Sequence, residues 1–120
     1  MDISPIVPRH RQVVQAYGDG AFRISGVQHA GSVIVMPETV HAWSGEVSEQ
    51  GLAVILDAAE TIDILLVGGG PSMAPIPAAL RQTLRAHGIV PEPMDTGAGC
   101  RTYNVLMAED RHVAAALVAV

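Results

Sequence analysis

The sequence predicts an α/β fold with an additional β-meander in its N-terminal half, and three observations support this. Short β-like runs, separated by glycine and proline, lie between residues 13 and 43. From residue 48 onward, helical periodicity alternates with compact apolar runs, which is typical of parallel strands joined by crossover helices. With 120 residues, 49% hydrophobic and 16% charged, the chain has the composition of a globular protein with one core.

The first twelve residues differ from the rest of the chain. They contain two prolines and the polar cluster at 9–11, and their apolar residues follow no period. We therefore expect a flexible N-terminal arm at 1–12 and a single α/β domain at 13–120. No repeat or low-complexity tract indicates a further boundary.

Four strands are expected in the N-terminal half, because four runs of β-forming residues are separated by glycines or by Pro37. They lie at 13–17, 21–24, 32–36 and 40–43.

Helices and strands are expected to alternate in the C-terminal half. Leu52, Ile55, Leu56 and Ala59 recur at i, i+3, i+4 and i+7, which predicts a helix with Ser48 as a candidate N-cap. The apolar run at 62–67 predicts a buried strand that ends at three glycines.

A second helix is predicted around Ile76, Leu80 and Leu84, with Pro77 in its first turn and Gly88 just beyond its end. A strand at 89–94, a third helix at 101–109 and a final run at 112–120 follow. The alanines of the final run favour a helix and its valines favour a strand. We predict a strand in the centre of the sheet.

Charge and composition exclude several classes of function. The net charge is −5, and all seven basic residues are arginine, so the chain lacks the positive field that nucleic acids or anionic membranes require. The longest apolar run, at 113–120, is too short to span a bilayer. No secretory signal is recognisable at the N-terminus, so we expect a cytoplasmic protein. The single cysteine excludes an intramolecular disulfide.

The candidate site lies where two predicted loops, 68–72 and 95–101, follow parallel strands. Ligands of open α/β sheets bind at the carboxyl ends of the strands, and helix N-termini there offer N–H groups to anions. Arg101 would add a charge-assisted hydrogen bond. The candidate ligand- or partner-binding residues are Gly68, Gly69, Gly70, Ser72, Asp95, Thr96, Cys100, Arg101 and Asn104.

Known cofactor motifs do not match this chain. A G-x-G-x-x-G fingerprint starting at Gly68 would need glycine at Met73, and a phosphate-binding Walker A loop would need a lysine. The glycines then serve either a ligand or a sharp strand-to-helix turn. None of the five histidines has the spacing of a metal site, so we expect neither a metal nor a cofactor.

Cys100 and Arg101 each have two interpretations. A thiol at a helix N-terminus beside an arginine would be shifted toward thiolate, and Cys100 is the one candidate for a catalytic or redox role. Free cysteine is among the most buried residue types, and packing in the core is the interpretation we prefer for Cys100. Arg101 either binds an anion or an acidic partner, or fixes the turn by holding Asp95 or the C-terminal carbonyl groups of a neighbouring helix.

The chain resembles the bacterial branch of a family of unknown function. This family includes the mitochondrial NADH dehydrogenase (complex I) assembly factor 3 and the adipogenesis-associated domain protein. Five stretches and Trp43 carry the resemblance: YGDGAFRISG at 17–26, GSVIVMP at 31–37, LLVGGGPSM at 65–73, HGI at 87–89, and MDTGAGCRTYNVLMAEDRHVAAALVAV at 94–120. The resemblance implies a single three-layer α/β domain with a mixed, largely parallel sheet and extra N-terminal β-structure.

Two functions from different classes remain. Because no catalytic motif is complete, we expect a non-catalytic protein-interaction or assembly-factor-like domain with a protein partner, and self-association is compatible with this role. The alternative is a small-molecule or anion-binding protein, or an enzyme, that uses the turn at Cys100 and Arg101.

Overall fold

The computed structural model describes Ile3 and residues 11–120, so most of the predicted flexible arm at 1–12 lies outside the described residues. Within the described part, strands, α-helices and one 3-10 helix follow in this order: β1 Val14–Gly18, β2 Ala21–Ile24, β3 Val27–Ala30, β4 Val33–Val35, β5 Val40–Ala42, α1 Ala53–Asp57, the 3-10 helix Ala59–Thr61, β6 Ile64–Gly68, α2 Ala78–Ala86, β7 Val90–Met94, α3 Thr96–Ala108 and β8 Val113–Leu117.

The strands form two sheets. The larger has the order β5-β4-β8-β6-β7, in which β6 is parallel to both β7 and β8, and β4 is antiparallel to β5 and β8. The smaller is the antiparallel meander β1-β2-β3. The predicted α/β class with a mixed sheet and an N-terminal meander is confirmed, but the third and fourth predicted strands join the larger sheet as β4 and β5. The final run is indeed a strand, and it occupies the centre of the larger sheet.

Side chains of the central strands point alternately to the two faces of the larger sheet, so the interior consists of two hydrophobic cores, one on each face. In β8, Val113, Ala115 and Leu117 pack on one face with α3 and the meander, whereas Ala114 and Ala116 pack on the other with α1 and α2. All five side chains are buried. A strand buried on both faces carries apolar residues at every position, and this explains why the helix and strand patterns of the final run were hard to separate.

The strand β3 was not predicted. Val27 is 57% exposed, and Gln28 and Ala30 are also exposed, so the segment lacks the alternation that indicates a half-buried strand. It pairs with β2 through a two-residue turn in which Ser25 and Gly26 both have positive φ, at 48° and 84°. Turns of this kind match the twist of a hairpin and determine its pairing.

Helix α3 begins at Thr96, not at residue 101 as predicted. Two glycines, Gly97 and Gly99, lower the helix propensity of this stretch, but Asp95 caps the helix by accepting the Ala98 N–H at 2.8 Å. The predicted loop 95–101 is therefore the N-cap and first turns of α3.

The two other helix starts also differ from prediction. Pro77 is the N-cap of α2 and not part of its first turn. Ser48 does not cap α1, whose N-cap is Leu52, and its hydroxyl instead accepts the Gly51 N–H at 3.0 Å. Gly88 has a φ of 80° just beyond α2, as expected for a residue that ends a helix.

Candidate functional site

The structure brings the two predicted segments together at the carboxyl ends of the parallel strands. The Thr96 N–H donates to the Gly70 carbonyl at 2.9 Å, and the Gly70 N–H donates to Thr96 Oγ1 at 2.9 Å. The Thr96 hydroxyl then donates to the Val118 carbonyl at 2.7 Å. Thr96 is fully buried, and its side chain links the glycine loop to the end of β8.

The junction between these segments is closed. A Cβ atom on Gly68 would lie 2.9 Å from Thr96 Cα, and one on Gly99 would lie 2.9 Å from Leu117 Cδ2. Separations below 3 Å force neighbouring atoms to move, and at Gly68 the neighbour is backbone, so glycine is needed there for close approach of the two segments. Gly70 has a φ of 104°, which suits the turn after β6. The arrangement matches the architectural interpretation of the glycines.

Two of the N–H groups at the N-terminus of α3 already have acceptors within the described residues. The Thr96 N–H is donated to Gly70, and the Ala98 N–H is donated to the Asp95 carboxylate. The carboxylate itself occupies the place that an anion would take. Ser72 lies exposed in the loop after β6.

Cys100 lies in the core, one turn inside α3, and is fully buried. Burial raises the pKa of its thiol from 9.0 to about 12, and the neighbouring Arg101 charge offsets only part of this increase. The thiol is therefore protonated at neutral pH, which is the unreactive form. Within residues 11–120 and Ile3, no cluster of histidine, cysteine and acidic side chains could hold a metal ion.

Tyr103 and Asn104 attach the N-terminal part of the chain to α3. The Tyr103 hydroxyl donates to the Gln12 carbonyl at 2.9 Å. The Asn104 amide exchanges two hydrogen bonds with Val14 and donates a third to the Ile3 carbonyl. Both side chains are buried, so their positions serve the packing of β1 against α3.

Arg101 is the exposed member of the motif that runs from Asp95 to Asn104. Its Nη1 donates to the Tyr17 hydroxyl at 3.4 Å, a long hydrogen bond. Val105, one turn further along α3, is 56% exposed, and Ala108 is also exposed. We call Arg101, Val105 and Ala108 the α3 outer face. It carries one charge beside apolar side chains.

A groove of about 670 Å³ lies at the other end of the larger sheet, next to the residues that precede β6 and β8. Its walls are the β4–β5 turn, the end of α1, residues 110–112 and Arg11. We call it the α1 groove. Sequence reasoning missed it because these segments are far apart in the chain and contain no shared motif.

Comparison with known proteins identifies relatives over nearly the whole chain. The model of a protein family of unknown function, DUF498/DUF598, matches residues 14–118. An uncharacterized protein of Rhodobacter capsulatus is 39% identical over 105 residues, which cover 88% of this chain and 82% of that protein. The NADH dehydrogenase (ubiquinone) 1 alpha subcomplex assembly factor 3 of Danio rerio is 29% identical over 110 residues and is covered over 63% of its length.

Solved structures agree with this relationship. The crystal structure of a Bartonella henselae protein, described as an outer membrane protein, is 36% identical and has a TM-score of 0.87, covering 93% of this chain and 98% of that one. In the described part of the present chain, no helix is long and apolar enough to cross a membrane. The match of the family model and the identity to the Rhodobacter protein together show that this chain belongs to the family of proteins of unknown function DUF498/DUF598.

Proposed function

We propose that the chain is a non-catalytic protein-interaction domain of the assembly-factor kind. The observation that carries this proposal is that, in the motif at 95–104, the functional groups other than Arg101 already have structural roles. Its cap, its buried hydroxyl groups, its thiol and its amide are all used in packing, and Arg101 points to the surface. Charged residues in general are depleted at the centre of protein interfaces, but arginine is enriched there.

The relatives support the same role. The Danio rerio relative is an assembly factor for a subcomplex of NADH dehydrogenase, and this chain spans about three fifths of its length. An assembly factor acts by binding other proteins, so a shared domain of this size is a reasonable carrier of a contact surface. We assign that surface to the α3 outer face, where Arg101 and Val105 lie one turn apart.

A pull-down from native lysate tests the proposal. Tagged wild-type chain is expected to recover a stoichiometric partner, and Arg101→Ala or Val105→Ser is expected to lose it while keeping the circular dichroism spectrum of the wild type. Arg85→Ala is the matched control, because Arg85 is exposed on α2, away from the α3 outer face. Light scattering on the same samples identifies a second copy of the chain as the partner. Recovery of nothing above background, or equal recovery by all variants, would contradict the proposal.

The alternative function requires an activated thiol or an open anion site at the turn of Cys100 and Arg101. Burial of Cys100 and the closed junction around Thr96 give it little support. Alkylation with iodoacetamide separates the two functions. An activated thiolate would react faster in the folded chain than in denaturant, whereas the non-catalytic proposal expects slower reaction in the folded chain.

A further inference from the structure

The α1 groove has the size and composition of a small-molecule site. Its volume of about 670 Å³ lies within the range of roughly 300 to 1,000 Å³ that such sites occupy. Met36, Val54 and Ala58 form an apolar part, and each also packs against the core beneath α1. Polar side chains from other segments also line the groove. One ligand could therefore place an apolar group against these three residues and a charged group against the polar side chains.

The charges around the groove are unequal. Its lining includes two arginines and three acidic residues. The charge of Arg11 is paired, because its Nη2 donates to Asp110 Oδ1 at 2.6 Å, although its buried Nε has no hydrogen-bond partner among the described residues. The same residue pair spans almost the full length of the chain, from the segment before β1 to the turn after α3, and it fixes one wall of the groove.

Glu38 and Asp57 remain as carboxylates that lack a hydrogen bond or ion pair with any described residue. They come from two different segments of the lining, the β4–β5 turn and the end of α1. Arg111 also lines the groove, and its guanidinium has no such partner either. With the lining histidines His41 and His112 counted as neutral, two carboxylates against one guanidinium leave a negative excess, and the whole chain, counted in the same way, has a net charge of −5. Charge complementarity therefore favours a cation.

We propose that the α1 groove binds a small amphipathic amine, with an apolar body against Met36, Val54 and Ala58 and an ammonium group near Glu38 and Asp57. We choose a small molecule as the occupant because the volume of the groove is that of a small-molecule site. The site is independent of the protein contact at the α3 outer face, which is built from other residues.

An NMR titration of the ¹⁵N-labelled full chain with 4-phenylbutylamine tests this proposal. Saturable shifts are expected at amides of the β4–β5 turn, α1 and residues 110–112. The matched probe is 4-phenylbutyrate, which has the same apolar body and the opposite charge, and it is expected to bind severalfold more weakly. Increasing salt is expected to weaken binding of the amine, because both carboxylates are exposed to solvent and their charges are screened. Absence of saturable shifts in these segments, or equal affinity for both probes, would overturn the proposal.

Variants assign the charge preference to particular residues. Glu38→Gln and Asp57→Asn are each expected to lower the affinity for 4-phenylbutylamine by about two- to fivefold, because each removes one exposed charge interaction. Glu92→Gln is the matched control, because Glu92 is exposed on β7, outside the groove. Arg101→Ala is expected to leave amine binding unchanged, which separates this site from the proposed protein contact. If Glu92→Gln reduced binding as much as the groove variants did, net charge and not the groove would account for the effect.

Discussion

The side-chain amide of Asn104 pairs with the backbone of Val14 as a neighbouring strand would. Asn104 Oδ1 accepts the Val14 N–H at 3.0 Å, and Asn104 Nδ2 donates to the Val14 carbonyl at 2.8 Å. Val14 opens β1, and Asn104 lies in α3, so one buried side chain joins the meander to the larger sheet's helix layer. A buried backbone needs such partners, because unpaired N–H and carbonyl groups are costly.

Asn104→Leu is expected to lower the free energy of unfolding by about 2–4 kcal/mol, because it leaves the Val14 N–H and carbonyl groups buried without partners. Chemical denaturation measures the change. Gln82→Leu is the control, since Gln82 is exposed on α2 and a surface substitution there should stay within about 0.5 kcal/mol of wild type. A loss below about 1 kcal/mol for Asn104→Leu would show that these two bonds contribute little.

Much of the larger sheet could be predicted from the sequence. The parallel order of β6, β7 and β8 follows from alternating helices and strands, and the central place of β8 from its continuous apolar run. Strand β3 could not be predicted, because its pairing depends on a turn and its side chains are mostly exposed. The start of α3 was missed because Gly97 and Gly99 oppose helix formation locally, whereas packing favours it.

The candidate site was only partly predictable. The sequence correctly indicated that the segments around Gly70 and Thr96 meet, because both follow parallel strands. It does not reveal that the polar groups at this junction satisfy each other, since that depends on distances between atoms. The same limit applies to the α1 groove, where Glu38 and Asp57 come together only through the tertiary fold.

Gly68→Ala is expected to destabilise the fold by about 1–3 kcal/mol, the typical cost of overpacking. The added methyl group would lie 2.9 Å from Thr96 Cα, which is backbone and cannot move aside without separating β6 from the start of α3. Thermal or chemical unfolding measures the loss.

Gly99→Ala is the matched comparison for Gly68→Ala. Its methyl group would meet Leu117 Cδ2, the movable end of a side chain, at 2.9 Å. Replacing glycine by alanine within a helix also stabilises the helix by up to about 1 kcal/mol. We therefore expect this variant to lie within about 1 kcal/mol of wild type, and equal losses for the two variants would contradict the distinction between backbone and side-chain contacts.

Trp43→Phe is expected to change the free energy of unfolding by no more than about 1 kcal/mol. Trp43 Nε1 is buried and has no hydrogen-bond partner in the part of the chain that the structure describes. Removing an unpaired donor recovers a desolvation penalty of about 1–3 kcal/mol, which offsets the loss of packing by the smaller ring. Trp43→Ala, which leaves a cavity, is expected to cost about 3–5 kcal/mol. Similar losses for both variants would show that the shape of the indole, and not its unpaired N–H, governs stability here.

The stability of the chain is expected to fall as the pH rises above 9. Burial raises the pKa of the Cys100 thiol from 9.0 to about 12, so between these values the folded chain holds a proton that the unfolded chain has lost. The unfolding free energy then decreases by at most about 1.4 kcal/mol per pH unit from this group, and below pH 9 the group contributes no slope. Burial also raises the pKa of Tyr103, which adds to the decrease above pH 10.

Denaturant titrations of wild type and Cys100→Ala from pH 7 to pH 10 isolate the thiol. Cys100→Ala removes the ionisable group and retains Tyr103, so its stability should stay nearly level up to pH 10, while the wild-type curve falls. The variant is expected to be about 1 kcal/mol less stable at pH 7, because the sulfur atom fills space in the core. Parallel curves for the two proteins would mean that the thiol ionises equally in the folded and unfolded chains. Cys100 would then have to be open to solvent, and the case for a reactive cysteine beside Arg101 would return.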